Sequence, residues 1–432
     1  MENYSIIIFL LIVMIALSAV ADKIKIPYPV LLIIAGIGIG FIPALPNIQL
    51  NPEVVFLMFL PPLLYDAAFN ISYREFKMNI NTIGTLAISL VFVTTVGIAA
   101  AAHFMIPGIS WPLGFVLGAI LSATDAVAAI SITKGLGISH KTSTILEGES
   151  LVNDASALIA YRFSVAAVTG AVFVFWKASL QFLLVISGGL LTGMIMGRIL
   201  AFILKHVHRN GVVTISFMMV VPFVTYLVAE ELHVSGVIAV VFLGLAIARF
   251  SRKLFPENLK QQSRTFWEII IFLLNGFIFI LIGIEFPYVA HNISKSQLLP
   301  YIGYAFVITV VALVLRMARV FLQKRNLQRA FSSQKRKISE HALLDWQSSL
   351  VISWSGMRGI VSLAIAIGLP VTLQDGTPFP QRDAIIFISV AVVLFTLLGQ
   401  GLTLPWLVRA LKINQPENTN AVQQSDSSTQ TQ

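Results

Sequence analysis

Cysteine is absent from the 432 residues, which excludes a disulfide framework and any thiolate metal site. Charge is scarce as well. Asp, Glu, Lys and Arg make up 11% of the chain, against about 25% in an ordinary soluble domain. So little charge leaves no stretch that could serve as a soluble catalytic domain. The metallopeptidase pattern HExxH and the nucleophile elbow GxSxG are both missing, which argues against an enzyme. No filter loop or ring motif of a channel is visible. The N-terminal segment MENYSIIIFLLIVMIALSAVA lacks a basic n-region, so it reads as a first membrane span rather than a cleavable signal.

What the chain does have is apolar length. It is 57% hydrophobic with a mean hydropathy of +0.86. Apolar runs of about 18 residues or more recur throughout, each long enough to cross a bilayer as a helix. The reading is an all-α polytopic membrane protein with about thirteen spans. They fall near 3–21, 28–43, 53–70, 82–106, 111–133, 143–171, 178–204, 212–229, 234–250, 265–286, 299–322, 347–370 and 383–409. One transmembrane domain thus covers 1–412. The polar tail 413–432, INQPENTNAVQQSDSSTQTQ, is expected to be disordered and cytoplasmic.

The net charge of +9 follows the topology and implies no nucleic-acid partner. Alternate loops carry Lys23 and Lys25, Arg74 and Lys77, Lys134 and Lys141, Arg198 to Arg209, Arg249 to Arg264, Lys324 to Lys337, and Arg409 with Lys412. The intervening loops hold only Lys177, Lys295 and Arg382. By the positive-inside rule the N-terminus lies outside and the C-terminus in the cytoplasm, an arrangement that needs an odd number of spans. Membrane lipids are the obvious partners, and the cell membrane the expected location. Arg162, Arg316, Arg319 and Arg358 remain, within or at the edges of spans. Charge at membrane depth is costly and marks function or a partner.

Three stretches carry the chemistry. The fifth span contains SATDAVAA, with Asp125 near mid-membrane beside Ser122 and Thr124. Small and hydroxyl residues there weaken the helix, and a broken helix frees carbonyl oxygens for a cation. The sixth span contains EGESLVNDASAL. Thr144 to Glu147 fits a capping box, which gives Glu147 a structural role. Asp154, about ten residues on, then lies about 15 Å deep, near the midplane. Ser150 and Asp154 share one stripe, and Glu149 and Asn153 an adjoining one. Such a set of oxygens suits a hard cation rather than a transition metal. The twelfth span contains SWSGMRGIVSLAIA, where Gly356 and Gly359 bracket Arg358. It reads as a second interrupted helix, the counterpart of the fifth in an inverted half. Arg358 would compensate half-helix ends and acids, and Arg316 is a candidate partner for Glu149. The pattern assigns no role to Arg162. Asp66 reads as funnel-lining, Glu268 and Glu285 as interface anchors, and His103 and His140 as idle loop histidines.

These three motifs, in this order, resemble the sodium/proton antiporters of the monovalent cation:proton antiporter family 1, prokaryotic relatives of the animal sodium/hydrogen exchangers. The resemblance implies a thirteen-helix fold of two inverted six-helix repeats, a homodimer, and no cofactor beyond the transported Na+ and H+. It implies that Asp154 binds cation and proton in turn, with Na+ held at Asp125 and Asp154. Thr124 and Ser150 would be partners in the site, Asn153 its hydrogen-bonding brace, and Glu149 with Arg316 or Arg319 a stabilising ion pair. Arg358 matches the arginine of the family's second broken helix. Asn153 beside a single Asp implies electroneutral one-for-one exchange. The animal exchangers carry a long regulatory cytoplasmic domain; the short tail here departs from that pattern, so that mode of regulation is not carried over. K+/H+ antiport is the alternative, and a cation channel a remote one.

Overall fold

The computed structural model describes residues 2–24, 26–42, 52–133, 136–169, 175–291, 293–332, 342–373 and 376–411. The tail from 412 onward lies outside them. The described residues are overwhelmingly helical, and the β structure among them is one isolated bridge, Thr372 to Pro378. The first helices are α1 (Glu2–Ile24), α2 (Tyr28–Gly40), α3 (Pro52–Asn70) and the short α4 (Tyr73–Met78). A continuous rod follows, α5 (Ile80–Gly84) and α6 (Val91–Met105) joined by a π-helical turn. Next come α7 (Trp111–Ser122), α8 (Ala126–Thr133), α9 (His140–Val168), α10 (Phe175–Val207), α11 (Gly211–Glu231), α12 (Gly236–Leu254), α13 (Glu257–His291) and α14 (Lys295–Ser332). The chain closes with α15 (Trp346–Trp354), α16 (Ile360–Ile367), and α17 (Arg382–Leu394) joined through a second π turn to α18 (Gly401–Ala410). Eight stretches among the described residues are long and apolar enough to cross a bilayer, and two further apolar helices are shorter. This is a multi-pass membrane protein.

Two spans are interrupted where the sequence suggests. The fifth breaks between α7 and α8 at residues 123–125, and the twelfth between α15 and α16 at 355–359. Elsewhere the helices start on side-chain caps that satisfy otherwise orphaned amides. Asn210 accepts from Val213 N–H at 3.2 Å, Ser235 from Ile238 N–H at 3.2 Å, and Asp345 from Ser348 N–H at 3.0 Å.

The start of α9 corrects the sequence reading. Ser139, not Thr144, is the N-cap, and accepts from Thr142 N–H at 3.3 Å. Thr144 and Glu147 are therefore interior residues, and the capping box does not form. The earlier start leaves Asp154 at the middle of the 29-residue helix.

Side-chain size decides how the helices pack. Between lipid-facing helices there is no hydrophobic drive, so close backbone contact at small residues holds them together. Helix α2 runs against α13 at Gly36 and Gly283. A Cβ on Gly36 would lie 2.3 Å from the Ile280 carbonyl oxygen, and one on Gly283 2.3 Å from that of Ile33. Helices α3 and α10 to α13 share one apolar core built around Tyr65, Leu204, Met218, Leu243 and Trp267. The interrupted helices pack with α9, α14, α17 and α18. A large cavity lies between these two groups.

Candidate functional site

The two unwound segments cross. Asp125 N–H donates to the Met357 carbonyl at 2.8 Å, tying one break to the other. The crossing is tight because of Gly359. A Cβ there would lie 2.0 Å from Asp125 Oδ2 and 2.6 Å from its Cβ. Asp125 also caps α8: its Oδ1 accepts from Val127 N–H at 2.8 Å and Ala128 N–H at 3.4 Å. Its charge thus sits at the positive end of a half-helix. Ser362, on α16, donates to the Ala123 carbonyl at 3.5 Å.

The opposite, negative ends of the half-helices meet Arg358, which is 1% exposed. Its Nε donates to the Leu121 carbonyl at 3.0 Å, and its Nη1 to the Gly356 carbonyl. Those carbonyls belong to the ends of α7 and α15, so the guanidinium compensates two helix C-termini at once. Thr396, in the π turn between α17 and α18, accepts from Arg358 N–H at 3.1 Å. Neither Thr396 nor Ser362 stands out in the sequence. A hydroxyl in an apolar span is most often a packing residue, and only the crossing gives these two a partner.

Helix α9 lies alongside and presents its two polar stripes differently. Glu149 and Asn153 are buried at 1% exposure each. Asn153 Nδ2 donates to Thr124 Oγ1 at 2.6 Å, and Thr124 Oγ1 donates to Glu149 Oε1 at 3.1 Å. Glu149 forms a two-pronged pair with Arg316: Nη2 to Oε2 is 2.8 Å, and Nη1 contacts Oε1. Arg316 Nε also donates to the Ile352 carbonyl at 3.0 Å. Arg319 instead turns to Ser89 Oγ, at 3.0 and 3.2 Å, so the choice between the two arginines falls on Arg316. Gly356 makes room for it, since a Cβ there would lie 2.3 Å from Arg316 Cδ.

The other stripe faces open space. Ser150 Oγ donates to the Thr124 carbonyl at 3.1 Å and lies 3.4 Å from Ala126 N–H. Asp154 makes no hydrogen bond to the described residues. It lines a cavity of about 1180 Å³ together with Thr124, Asp125 and Ser150. The far wall comes from α3, α12 and α13, through Leu60, Asp66, Asn275 and Phe279 among others. The cavity lining also includes Arg252, Lys260, Arg264 and Glu268, towards the end of α12 and the start of α13. Asp125, Asp154, Thr124 and Ser150 therefore meet around one open volume, while Asn153, Glu149, Arg316 and Arg358 brace it from behind.

Several secondary readings change. Glu147 lines the cavity rather than capping a helix. Asp66 lines it too and accepts from Asn70 Nδ2 at 2.8 Å. Glu285 is buried at 5% exposure and is no interface anchor, whereas Glu268 is exposed and pairs with Arg264 at 3.5 Å. His103 is not idle. Its ring stacks on Trp111 at 4.6 Å, and its Nδ1 lies 2.8 Å from the Ile109 carbonyl. Arg162 gains a partner in Glu230 at the end of α11, at 3.3 Å and partly exposed.

A family model described as sodium/hydrogen exchanger, transmembrane, matches residues 7–410. The sodium, potassium, lithium and rubidium/H(+) antiporter of Bacillus pumilus (strain SAFR-032) is 34% identical over 93% of this chain and 60% of its own. The chain thus spans about three fifths of that relative's length. The Na(+)/H(+) antiporter ApNhaP of Aphanothece halophytica is 34% identical over 90% of this chain and 70% of its own. Among solved structures, the sodium proton antiporter MjNhaP1 of Methanocaldococcus jannaschii at pH 8 superposes with a TM-score of 0.67. The match covers 96% of this chain and all of that one, at 21% identity. At that identity the likeness is one of fold.

Proposed function

The chain belongs to the transmembrane sodium/hydrogen exchanger family, and from that premise we propose that it exchanges a monovalent cation for protons across the cell membrane. Sodium is the first choice of cation, with lithium beside it. One observation carries the reading. Asp154, a buried carboxylate without a hydrogen-bond partner among the described residues, shares an open cavity with Asp125 at the crossing of two interrupted helices.

The physical logic is competition for carboxylate oxygens. Two acids close together in a low-dielectric setting cannot both remain ionised cheaply, so one is taken by a proton or by a cation. Thr124, Ser150 and backbone carbonyls freed at the crossing offer neutral oxygens to complete a hard-cation shell. Either occupant reduces the charge, and the loaded site can be presented to the other side. Empty, it carries unpaired negative charge, which opposes movement past an apolar wall. Loaded passage is thereby favoured over empty passage, and the two fluxes are coupled. Asn153 spends its carboxamide nitrogen on Thr124 and carries no charge. That supports one proton per cation and electroneutral exchange.

Potassium is the second reading, favoured by the potassium and rubidium in the name of the Bacillus relative. Thirteen crossings in two inverted halves, an outside N-terminus and a cytoplasmic C-terminus complete the proposal. In that orientation the cavity opens to the cytoplasm. A homodimer is proposed on the family resemblance.

Proteoliposomes with a pH-sensitive dye test the reading. Imposed sodium, lithium and potassium gradients should each be assayed, with the membrane potential clamped at several values. Proton movement that needs the cation gradient and ignores the potential is the expected result. Flux without a counter-ion gradient would identify a channel. In the same assay Asp154→Asn should abolish exchange while the purified protein keeps its elution profile and helical content. Exchange at the wild-type rate in that variant would sink the site assignment.

A further inference from the structure

Three of the buried polar residues lining the cavity have a hydrogen-bond partner. Thr124 holds Glu149, Ser251 donates to the Ala248 carbonyl, and Ser362 to that of Ala123. Besides Asp154, two buried lining residues have no hydrogen-bond partner among the described residues: Ser263, at 1% exposure, and Asn275, at 5%. Both lie on α13 and line the cavity that holds the aspartates. Ser263, Ile271, Asn275 and Phe279 are spaced by multiples of four and so form one stripe of that helix. Ser263 lies about 18 Å nearer the mouth than Asn275.

The residues next to Asn275 in the lining of α13 are apolar. Phe272, Ile278 and Phe279 line the cavity beside it. Tyr28 closes on the same aromatic group, with ring centroids 6.1 Å from Phe272 and 6.3 Å from Phe279. A carboxamide buried among such residues, at membrane depth and with no partner, is costly unless something polar meets it. Its place in the same cavity as Asp125 and Asp154 names what that would be.

We infer that Asn275 is a cation contact on the far wall of the cavity, its Oδ1 meeting the ion or its hydration shell as the ion reaches the aspartates. A neutral carbonyl-type oxygen is the ligand a hard alkali cation accepts without being trapped by charge. The amide does not titrate in the physiological range, so it acts on the cation and leaves the proton alone. The contact is also one-sided. Helix α13 packs chiefly on α2, with lesser contacts to α17, α3 and α16, whereas the aspartates sit on the crossing and on α9. When the site is presented to the opposite face it leaves that wall. Asn275 therefore sets apparent cation affinity from the cavity side only.

This inference rests on the antiport reading, and oriented vesicles separate the two. Wild type, Asn275→Leu, Asn275→Ala and Asn275→Gln are compared in inside-out and right-side-out vesicles, with sodium and then potassium as the probe. Asn275→Leu should raise the sodium KM about three- to tenfold in one orientation, the worth of one neutral hydrogen-bond-scale contact. The other orientation and the pH profile of exchange should not move. Asn275→Ala removes the carboxamide without added bulk and reads the same shift should the leucine protein fail to accumulate. Asn275→Gln should recover part of the affinity and alter the sodium-to-potassium ratio. A KM unchanged in both orientations, or raised equally in both, overturns this inference alone. Absence of cation-dependent proton flux in the wild type overturns the antiport reading and this one with it.

Discussion

Adjacent residues on α9 have opposite fates. Asn153 turns into packed protein and braces Thr124, while Asp154 faces the cavity. One residue along a helix is a rotation of about 100°, enough to separate a brace from a ligand. The same geometry buries Glu149 against Arg316. Both side chains are 2% exposed, so the pair is shielded from water and salt. Removing one partner strands the other, at about 3–5 kcal/mol. Arg316→Ala or Glu149→Gln should therefore lower the thermal midpoint in detergent markedly, and the double variant should lose less than the sum. Additive losses would show that the two side chains act independently. Gly359→Ala is a sharper test of the crossing. Its methyl would overlap the Asp125 carboxylate, so transport should fail even if the protein folds. Exchange at the wild-type rate in Gly359→Ala would mean that the crossing is not as close as described.

The elements that matter most are the ones that stop early. Each interrupted helix leaves amides and carbonyls unpaired inside the membrane, which lipid cannot satisfy. Asp125 takes up amides at the start of α8, and Arg358 takes up carbonyls from α7 and α15. The sequence signals for the breaks are plain: Ser-Ala-Thr-Asp in one, Gly-Met-Arg-Gly in the other. The start of α9 was harder to read, because Ser139 and Thr144 are both acceptable caps and only packing chooses between them. Helix α15 offers a separate test, outside the membrane. Burial alone would raise its cap, Asp345, but hydrogen bonds from Ser348 and the nearby Lys141 ammonium outweigh it and hold the carboxyl below its ordinary range. A carboxyl held low stabilises the fold above its unfolded value of about 4, and that contribution is lost as pH falls through the lower folded value. Asp345→Ala should cost about 1 kcal/mol near neutrality. The gap from wild type in thermal melts should narrow on acidification below about pH 4. A gap that stays constant into acid would rule out the charged cap.

At the scale of the molecule, the cavity lining extends to a rim of charge. That rim holds Arg252, Lys260, Arg264 and Glu268. Past Asp154, the continuation of α9 reaches Arg162 and its pair with Glu230. Alternating access requires one-sided opening of any single state. The lack of native cysteine makes it measurable without background. Ala67 lines the cavity on α3. Ala67→Cys should react with a membrane-impermeant maleimide in inside-out vesicles and stay unlabelled in right-side-out ones. The reverse pattern would invert the topology drawn from the loop charges.

Composition and periodicity alone determined that this chain is a multi-pass membrane protein and which two of its helices break. These are local properties: apolar length, basic loops, and glycine or hydroxyl residues at depth each write themselves into a short window. The acids and arginines were equally visible, because charge is rare enough in such a chain to be conspicuous. Which arginine faces Glu149, whether Glu147 caps a helix or lines a cavity, and that Asn275 shares the cavity with the aspartates were decided only in three dimensions. Each depends on the rotation of one helix against another, set by packing between residues more than a hundred positions apart.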